Sequence, residues 1–331
     1  MAKVSKALLL CAIAVLVASA QVDPMLLNLV PPGAKFIDGI RIDSARSSPF
    51  GQYVLSQIGA RDPGFQQFIE STGFDPTRDV SEILAAAAGT SSQPSLLVLA
   101  RGSFDVAQIT KAATSAGAVV SDYKGIQLLT HPEASGNTGA LTFLTQGGTI
   151  IAVLGSVSAV QGAIDRTTQT TQALSSDVLT QIGKLSEAND AWFLSTGPIT
   201  DFLAGKVADP NLGGALQGNL LQAIQLASGG VKFGDKTVVV SAHAVARSDK
   251  DAESLRDVVK FLAGLVQLNK DSDPNAQKAA TLLDTLQVNA SGNTMTLSLS
   301  IPETAMEQLL VPPPGRPHVQ HRAARRTAAA H

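Results

Sequence analysis

Cysteine is nearly absent from this chain. The single one, Cys11, lies within the first twenty residues, so the body of the protein holds itself together without disulfides, by burial alone. Aromatic residues are almost as scarce, 4% of the chain with one tryptophan (Trp192) and two tyrosines (Tyr53, Tyr123). That scarcity speaks against a surface built to stack bases or sugars and leaves packing to Ala, Val, Leu and Ile. Charge is sparse too, at 16% against 44% hydrophobic residues, a globular composition far from the disordered regime. No apolar run reaches the roughly 20 residues a membrane-spanning helix needs. Motifs of catalysis are equally thin. The chain contains no H-E-x-x-H, no C-x-x-C and no G-x-S-x-G, which lowers the expectation of an enzyme.

What is present begins at the N-terminus. Lys3 and Lys6 precede an uninterrupted apolar stretch from Ala7 to Ala18, and Ala18-Ser19-Ala20 places small residues at −3 and −1. This is the layout of a secretory leader cleaved after Ala20, with Gln21 as the mature N-terminus. The expected location is therefore periplasmic or secreted. The opposite end is basic. Residues 312–331 contain Arg316, Arg322, Arg325 and Arg326 and no acid. Without those four and the two leader lysines, the body has 19 basic against 27 acidic residues, about −8. An acidic body is soluble and self-repelling, and no nucleic-acid partner is expected. The tail after Pro312-Pro313-Pro314-Gly315 reads as disordered, with weak contact to an anionic surface as its only expected role.

Between the two ends, one pattern of elements recurs about 145 residues apart. Ala140–Thr145 and Ile150–Leu154 flank Gln146-Gly147-Gly148-Thr149 as a β-hairpin. Ser156 then starts a helix with Val157, Val160, Ala163 and Ile164 on one face. Leu286, Val288 and Ala290 lead likewise into Ser291-Gly292-Asn293-Thr294, the strand Met295–Ile301 and a helix opened by Pro302. Upstream, the strand Leu96–Ala100 precedes a helix capped by Ser103. Its counterpart, Val238–Ala246, precedes one capped by Ser248 that buries Ala252, Leu255, Val258, Val259, Leu262 and Val266. Phe36, Ile40 and Ile42 line a first strand, followed by helices from Pro49, from Pro63 and near Asp79 (Val80, Ile83, Leu84). The second half opens with a strand at Ala191–Leu194, then a short helix at Pro198 and a longer one over Leu216–Ala227. Val119–Leu129 predicts two short strands around Lys124-Gly125, where the second half has Asp273-Pro274 and a helix to Leu283.

Three segments carry a resemblance. They are Ser47-Ser48-Pro49-Phe50-Gly51, the run Gly73-Phe74-Asp75-Pro76-Thr77-Arg78-Asp79-Val80, and the closing Gly292–Glu303. Together they make the chain similar to a group of exported proteins of unknown function from soil-dwelling Gram-negative bacteria. The resemblance implies location and fold class, and it brings no catalytic residue.

Candidate chemistry rests on few side chains. His131 precedes Pro132-Glu133 in a loop rich in Gly, Ser and Asn, while His243 falls on the wetter face of its strand, between Ser241 and Val245. Asp271-Ser272-Asp273-Pro274-Asn275 imitates the start of a calcium loop. It then fails, with Ala276 where glycine is needed and Leu282 where glutamate is needed. Asp75 and Asp79 beside Arg78 read as helix-start acids, and His318 and His321 lack a third metal ligand. Gly213, Gly214 and Gly218 match no phosphate-binding loop.

The sequence thus predicts an α+β protein of two related halves, each an antiparallel sheet covered on one face by helices. Its segments are a leader (1–20), halves at 21–170 and 171–311, and a basic tail (312–331). The expected function is that of an exported non-enzymatic binding or scaffold protein, its partner an unidentified protein or envelope component. No catalytic residue, metal or cofactor is assigned. One alternative is a carrier of an apolar ligand, held in a cavity between sheet and helices. The other is an envelope hydrolase with a loop-built site near His131.

Overall fold

A computed structural model describes residues 21–61, 63–90, 93–132, 138–169, 173–198, 222–271 and 274–310. The leader and the basic tail lie outside these described residues. In chain order the first half holds α1 (Pro24–Asn28), β1 (Phe36–Arg41), α2 (Ile42–Ser47), α3 (Pro49–Arg61), α4 (Pro63–Thr72), α5 (Pro76–Asp79), β2 (Val80–Thr90) and β3 (Gln93–Gly102). It continues with α6 (Val106–Ser115), β4 (Val119–Tyr123), β5 (Ile126–Pro132), β6 (Thr138–Gln146), β7 (Thr149–Ser156) and α7 (Val157–Arg166). The remainder is α8 (Ser176–Ala188), β8 (Ala191–Ser195), β9 (Ile224–Phe233), β10 (Thr237–Ala246), α9 (Asp249–Asn269), α10 (Pro274–Leu283), β11 (Gln287–Ser291), β12 (Thr294–Pro302) and α11 (Glu303–Leu310).

The class is α+β, and every strand pairing is antiparallel. Strands from both halves join one twelve-stranded sheet in the order β11-β12-β10-β9-β8-β1-β2-β3-β7-β6-β5-β4. The halves meet at β1 and β8, where Asp38 lies opposite Phe193. Outward from that seam the arms run β1-β2-β3-β7-β6 and β8-β9-β10-β12-β11, the same order of connection, and β5-β4 extends only the first. At the seam Gly39 faces Trp192. A Cβ on Gly39 would stand 2.7 Å from the indole, so only glycine lets the ring lie across the strand.

Helices pack on both faces of the first arm, where one covered face was expected. The reason is that its strands are apolar on both sides. Leu97, Leu99, Ile151 and Val153 point into the main core with Leu26 of α1, Val160 and Ile164 of α7 and Ile182 of α8. Their neighbours Ala100 and Ala152 point the other way, toward Ile42 and Ala45 of α2 and Leu55 of α3. A strand flanked by others and apolar on both faces needs cover on both.

The hairpin expectations hold at the level of turn chemistry. Gly147 and Gly148 take φ of 56° and 80°, Lys124 and Gly125 take 54° and 81°, and Gly292 takes 54°, the left-handed values that tight two-residue turns require. The N-caps Ser156 and Ser248 receive the Ala159 and Asp251 N–H groups.

Four expectations are corrected. Val80–Leu84 and Ile224–Ala227 belong to strands β2 and β9, not helices. Ala85–Ala88 and Gly229-Gly230 blur the period of two, and pairing on both sides overrides their weak strand preference. Ile42 leaves the first strand to open α2. Asp105, not Ser103, caps α6 by accepting the Gln108 N–H. Along α9 only Ala252 and Leu255 are buried, while Val258, Val259, Leu262 and Val266 are half-buried. Twenty-one residues at about 1.5 Å each outrun the sheet edge, where β11 has five residues.

Candidate functional site

Among the described residues, the chemistry-bearing side chains suggested by sequence do not converge. His131 is exposed at the end of β5 opposite Gly139, and His243 is exposed on β10 opposite Ser228 and Thr296. Among the described residues no three His, Cys, Asp or Glu side chains come together as a metal site would require. Ser121 and Lys124 of the β4–β5 hairpin stand at S-x-x-K spacing. Lys124 Nζ donates to Asp165 at 2.6 Å and lies over the Tyr123 ring, so the lysine is an ion-pair partner. Residues 133–137, Asp273, Gly213, Gly214, Gly218, His318, His321 and the tail arginines lie outside the described residues.

The Gly73–Val80 segment turns out to be a set of local structural devices. Asp75 caps α5 by accepting the Thr77 N–H and the Thr77 hydroxyl, and Asp79 accepts the Asp75 N–H. Arg78 donates to Asp79 and to the Gly73 carbonyl, and its guanidinium holds the Asp79 carboxyl below its usual range. Arg46 on α2 closes the assembly by donating to the carbonyls of Thr77, Arg78 and Val80. Ser47–Gly51 is equally structural. Ser48 Oγ accepts the Gly51 N–H at the start of α3, and Gly51 leaves no room for a Cβ against the Ala45 carbonyl.

Two clusters of buried charge escaped the sequence reading. Asp190, 2% exposed, accepts from Arg41 Nη2 at 2.8 Å, Lys232 Nζ at 3.0 Å and the Phe233 N–H at 2.8 Å, tying β1, β8 and β9 together. Glu82, also buried, faces Arg101 at 3.5 Å and the Asp23 N–H at 3.4 Å. Burial pushes its carboxyl above the usual range despite Arg101. Both clusters border a cleft of about 600 Å³ that also includes Gln21 and Asp43. The carboxylates are partnered, while Arg41 Nε and Arg101 Nε are buried without a hydrogen-bond partner, and the two clusters act as clamps on the seam and on the segment entering α1.

The site that emerges is a chamber of about 430 Å³ on the α6 side of the first arm. Its floor is the second face of the sheet, with Ile83 on β2, Val98 and Ala100 on β3, Leu141 and Phe143 on β6, and Ala152 and Leu154 on β7. Its roof is α6, which offers Ile109, Ala112 and Ala113. The end wall is a chain of rings. Phe74 stacks on Phe104 at 5.1 Å between centroids, and Phe104 meets Phe143 at 5.5 Å. Thr72 also lines the chamber, and its hydroxyl accepts the Phe74 N–H. Among the described residues no lining side chain carries a charge.

Local sequence explains the void. The floor residues must point away from Leu97, Leu99, Ile151 and Val153 because side chains alternate along a strand. The helix that covers them supplies alanines at the contact, so the two surfaces do not meet. Phe74, Val98, Phe104, Leu141 and Phe143 therefore stay half-buried under a helical cover. The signal that could have revealed the chamber is the pairing of a doubly apolar strand face with the small-residue stripe Ala112, Ala113 and Ala116.

No family model matches this chain, and no curated protein matches it. Among solved structures it is similar to crystal forms I, III and IV of TP0453, at 10% identity and TM-scores of 0.46, 0.46 and 0.47. Each match covers 88% of this chain and 97 to 98% of the other.

Proposed function

We propose that the protein is an exported, non-enzymatic carrier of an apolar ligand, held between the sheet and α6. The single observation that supports this reading is the chamber, about 430 Å³, whose described lining is three phenylalanines and aliphatic side chains with Ser71 and Thr72 as its polar members. Sites for small ligands are concave and mostly apolar, with volumes of roughly 300–1,000 Å³. Magnitude favours occupancy. At ~24 cal/mol per Å³ of empty volume, a dry chamber of this size costs up to about 10 kcal/mol. That is comparable to the whole net stability of a folded domain, about 5–15 kcal/mol. The open end lowers this figure, yet water is a poor filler because it needs two to four polar partners and the walls offer few. An apolar ligand removes the penalty and gains about 0.8 kcal/mol for each buried CH₂.

Export rests on the leader pattern, and among the described residues no helix is long and apolar enough to cross a membrane. Expression with the leader intact, followed by N-terminal sequencing of the exported fraction, is expected to give Gln21 first. Retention of Met1 overturns export. For the ligand, delipidated protein is titrated with the neutral apolar fluorophore Nile red. Saturable binding with one site per chain, lost in Ala152→Phe, is the expected result. Absence of saturable binding, or equal binding by the variant, overturns the carrier reading.

A further inference from the structure

We infer, on the reading that the chamber holds an apolar ligand, that this ligand is electrically neutral and carries a hydroxyl- or carbonyl-bearing end. Its body fills the chamber, and its polar end rests in the groove outside the mouth. The chamber continues past Val98 and Leu154, which line both spaces, into an open groove of about 710 Å³. There the polar groups are the hydroxyls of Ser95, Thr138, Ser156 and Ser158 and the Gln161 amide, and among the described residues no lining side chain is charged. The lip between the two spaces is apolar and accessible, with Leu96 53% and Leu154 40% exposed. A ligand longer than the chamber therefore passes over leucine before reaching hydroxyls.

Charge is what separates the ligand classes. A carboxylate or phosphate brought against an apolar lip needs a cation or several N–H donors to replace its water. Among the described residues the groove supplies no cation, and its N–H donors are those at the N-terminus of α7, where Ser156 Oγ already takes the Ala159 N–H and also lies 3.2 Å from Ser158 Oγ. At the other end of the chamber, the Phe74–Phe104 pair borders a second cleft that holds Arg78. That guanidinium is committed to Asp79 and the Gly73 carbonyl, and Asp105 lines the same cleft. One cation against two carboxylates does not attract an anion. Hydroxyls and an amide match a neutral end, such as that of a long-chain alcohol or a monoacylglycerol, which both donates and accepts hydrogen bonds.

The test displaces Nile red from the full chain with three probes of equal chain length at pH 8: 1-hexadecanol, 1-monopalmitoylglycerol and hexadecanoate. The neutral pair is expected to displace at concentrations at least tenfold lower than the carboxylate. Gln161→Lys places a cation in the groove and is expected to strengthen hexadecanoate at least tenfold while leaving hexadecanol within twofold. Equal or better displacement by hexadecanoate from the wild-type chain overturns neutrality, and so does indifference of hexadecanoate to Gln161→Lys. Either failure leaves saturable Nile red binding intact. Failure of the carrier reading shows instead as no Nile red binding at all, so the two are distinguishable.

Discussion

Replacing Ala152 by phenylalanine separates a chamber from a conventional core by the sign of the stability change. Ala152 sits on β7 between Ala100 of β3 and Phe143 of β6, and its side chain points to the chamber floor. If the space is open, the new ring buries itself without displacing anything. Burial of a phenylalanine contributes about 1.5–3 kcal/mol, and fixing its rotamers costs up to about 1 kcal/mol, for a net stabilisation of about 0.5–3 kcal/mol, centred on about 1.5 kcal/mol. In a filled core the same change overpacks and costs about 1–3 kcal/mol. The matched control is Val153→Phe, one residue further on the same strand, fully buried in the main core on the opposite face. Urea denaturation of delipidated proteins reads both. At an m-value near 3 kcal/mol per M, Ala152→Phe is expected to raise the midpoint by about 0.5 M and Val153→Phe to lower it. A fall in both midpoints by similar amounts refutes the chamber.

Asp190→Ala strands Arg41, Lys232 and the Phe233 N–H at the seam, so it is expected to cost about 3–5 kcal/mol in a denaturation curve. Glu82 carries a pH signature. Its carboxyl is raised by burial, so the folded state holds the proton more tightly than the unfolded one. That contribution is present below the ordinary value of 4.5 and is lost as pH rises through the raised folded value. Glu82→Gln is expected to flatten the stability profile in that window, and an unchanged slope between pH 4 and 7 counts against the assignment. On α9, Leu255→Ala should cost about 2–5 kcal/mol, whereas Leu268→Ala, at a residue 80% exposed, should stay within about 0.5 kcal/mol.

Where the sequence was legible, local chemistry was decisive. Turn glycines named the hairpins, and Ser156 and Ser248 named helix starts, because turns and caps are settled within four residues. β2 and β9 were illegible for the opposite reason. Ala85–Ala88 and Gly229-Gly230 have no strand preference of their own, and they are strands because neighbours hydrogen-bond them from both sides. The single twelve-stranded sheet was hidden likewise, since the β1–β8 pairing joins residues more than 150 positions apart and leaves no local mark. The chamber was the least legible feature. Leu141, Phe143 and Ile109 are apolar residues in ordinary strand and helix patterns, and only the chamber between them shows that they fail to meet.

The two arms of the sheet offer an internal comparison, and it makes the last prediction. Val98 pairs with Leu154 in the first arm as Val240 pairs with Leu299 in the second, and in each arm a capped helix follows the strand that carries the valine. Counted from the caps Asp105 and Ser248, Ile109 corresponds to Ala252, Ala112 to Leu255 and Ala116 to Val259. The second arm thus places Leu255 and Val259 against Ala244, Met295 and Leu297 as a packed cluster. The first arm has alanine at both positions and a chamber beneath. A duplicated origin, proposed from the recurring hairpins and helices, makes those alanines the difference between a filled and a hollow copy. Ala112→Leu combined with Ala116→Val is then expected to fill the first arm in the manner of the second, weakening Nile red at least tenfold while raising the urea midpoint. The reciprocal change, Leu255→Ala, destabilises the second arm without creating a comparable probe site, because its floor lacks the Phe74–Phe104–Phe143 wall. If the double variant binds Nile red as the wild type does, the probe sits elsewhere and the alanine stripe is not what holds the chamber open.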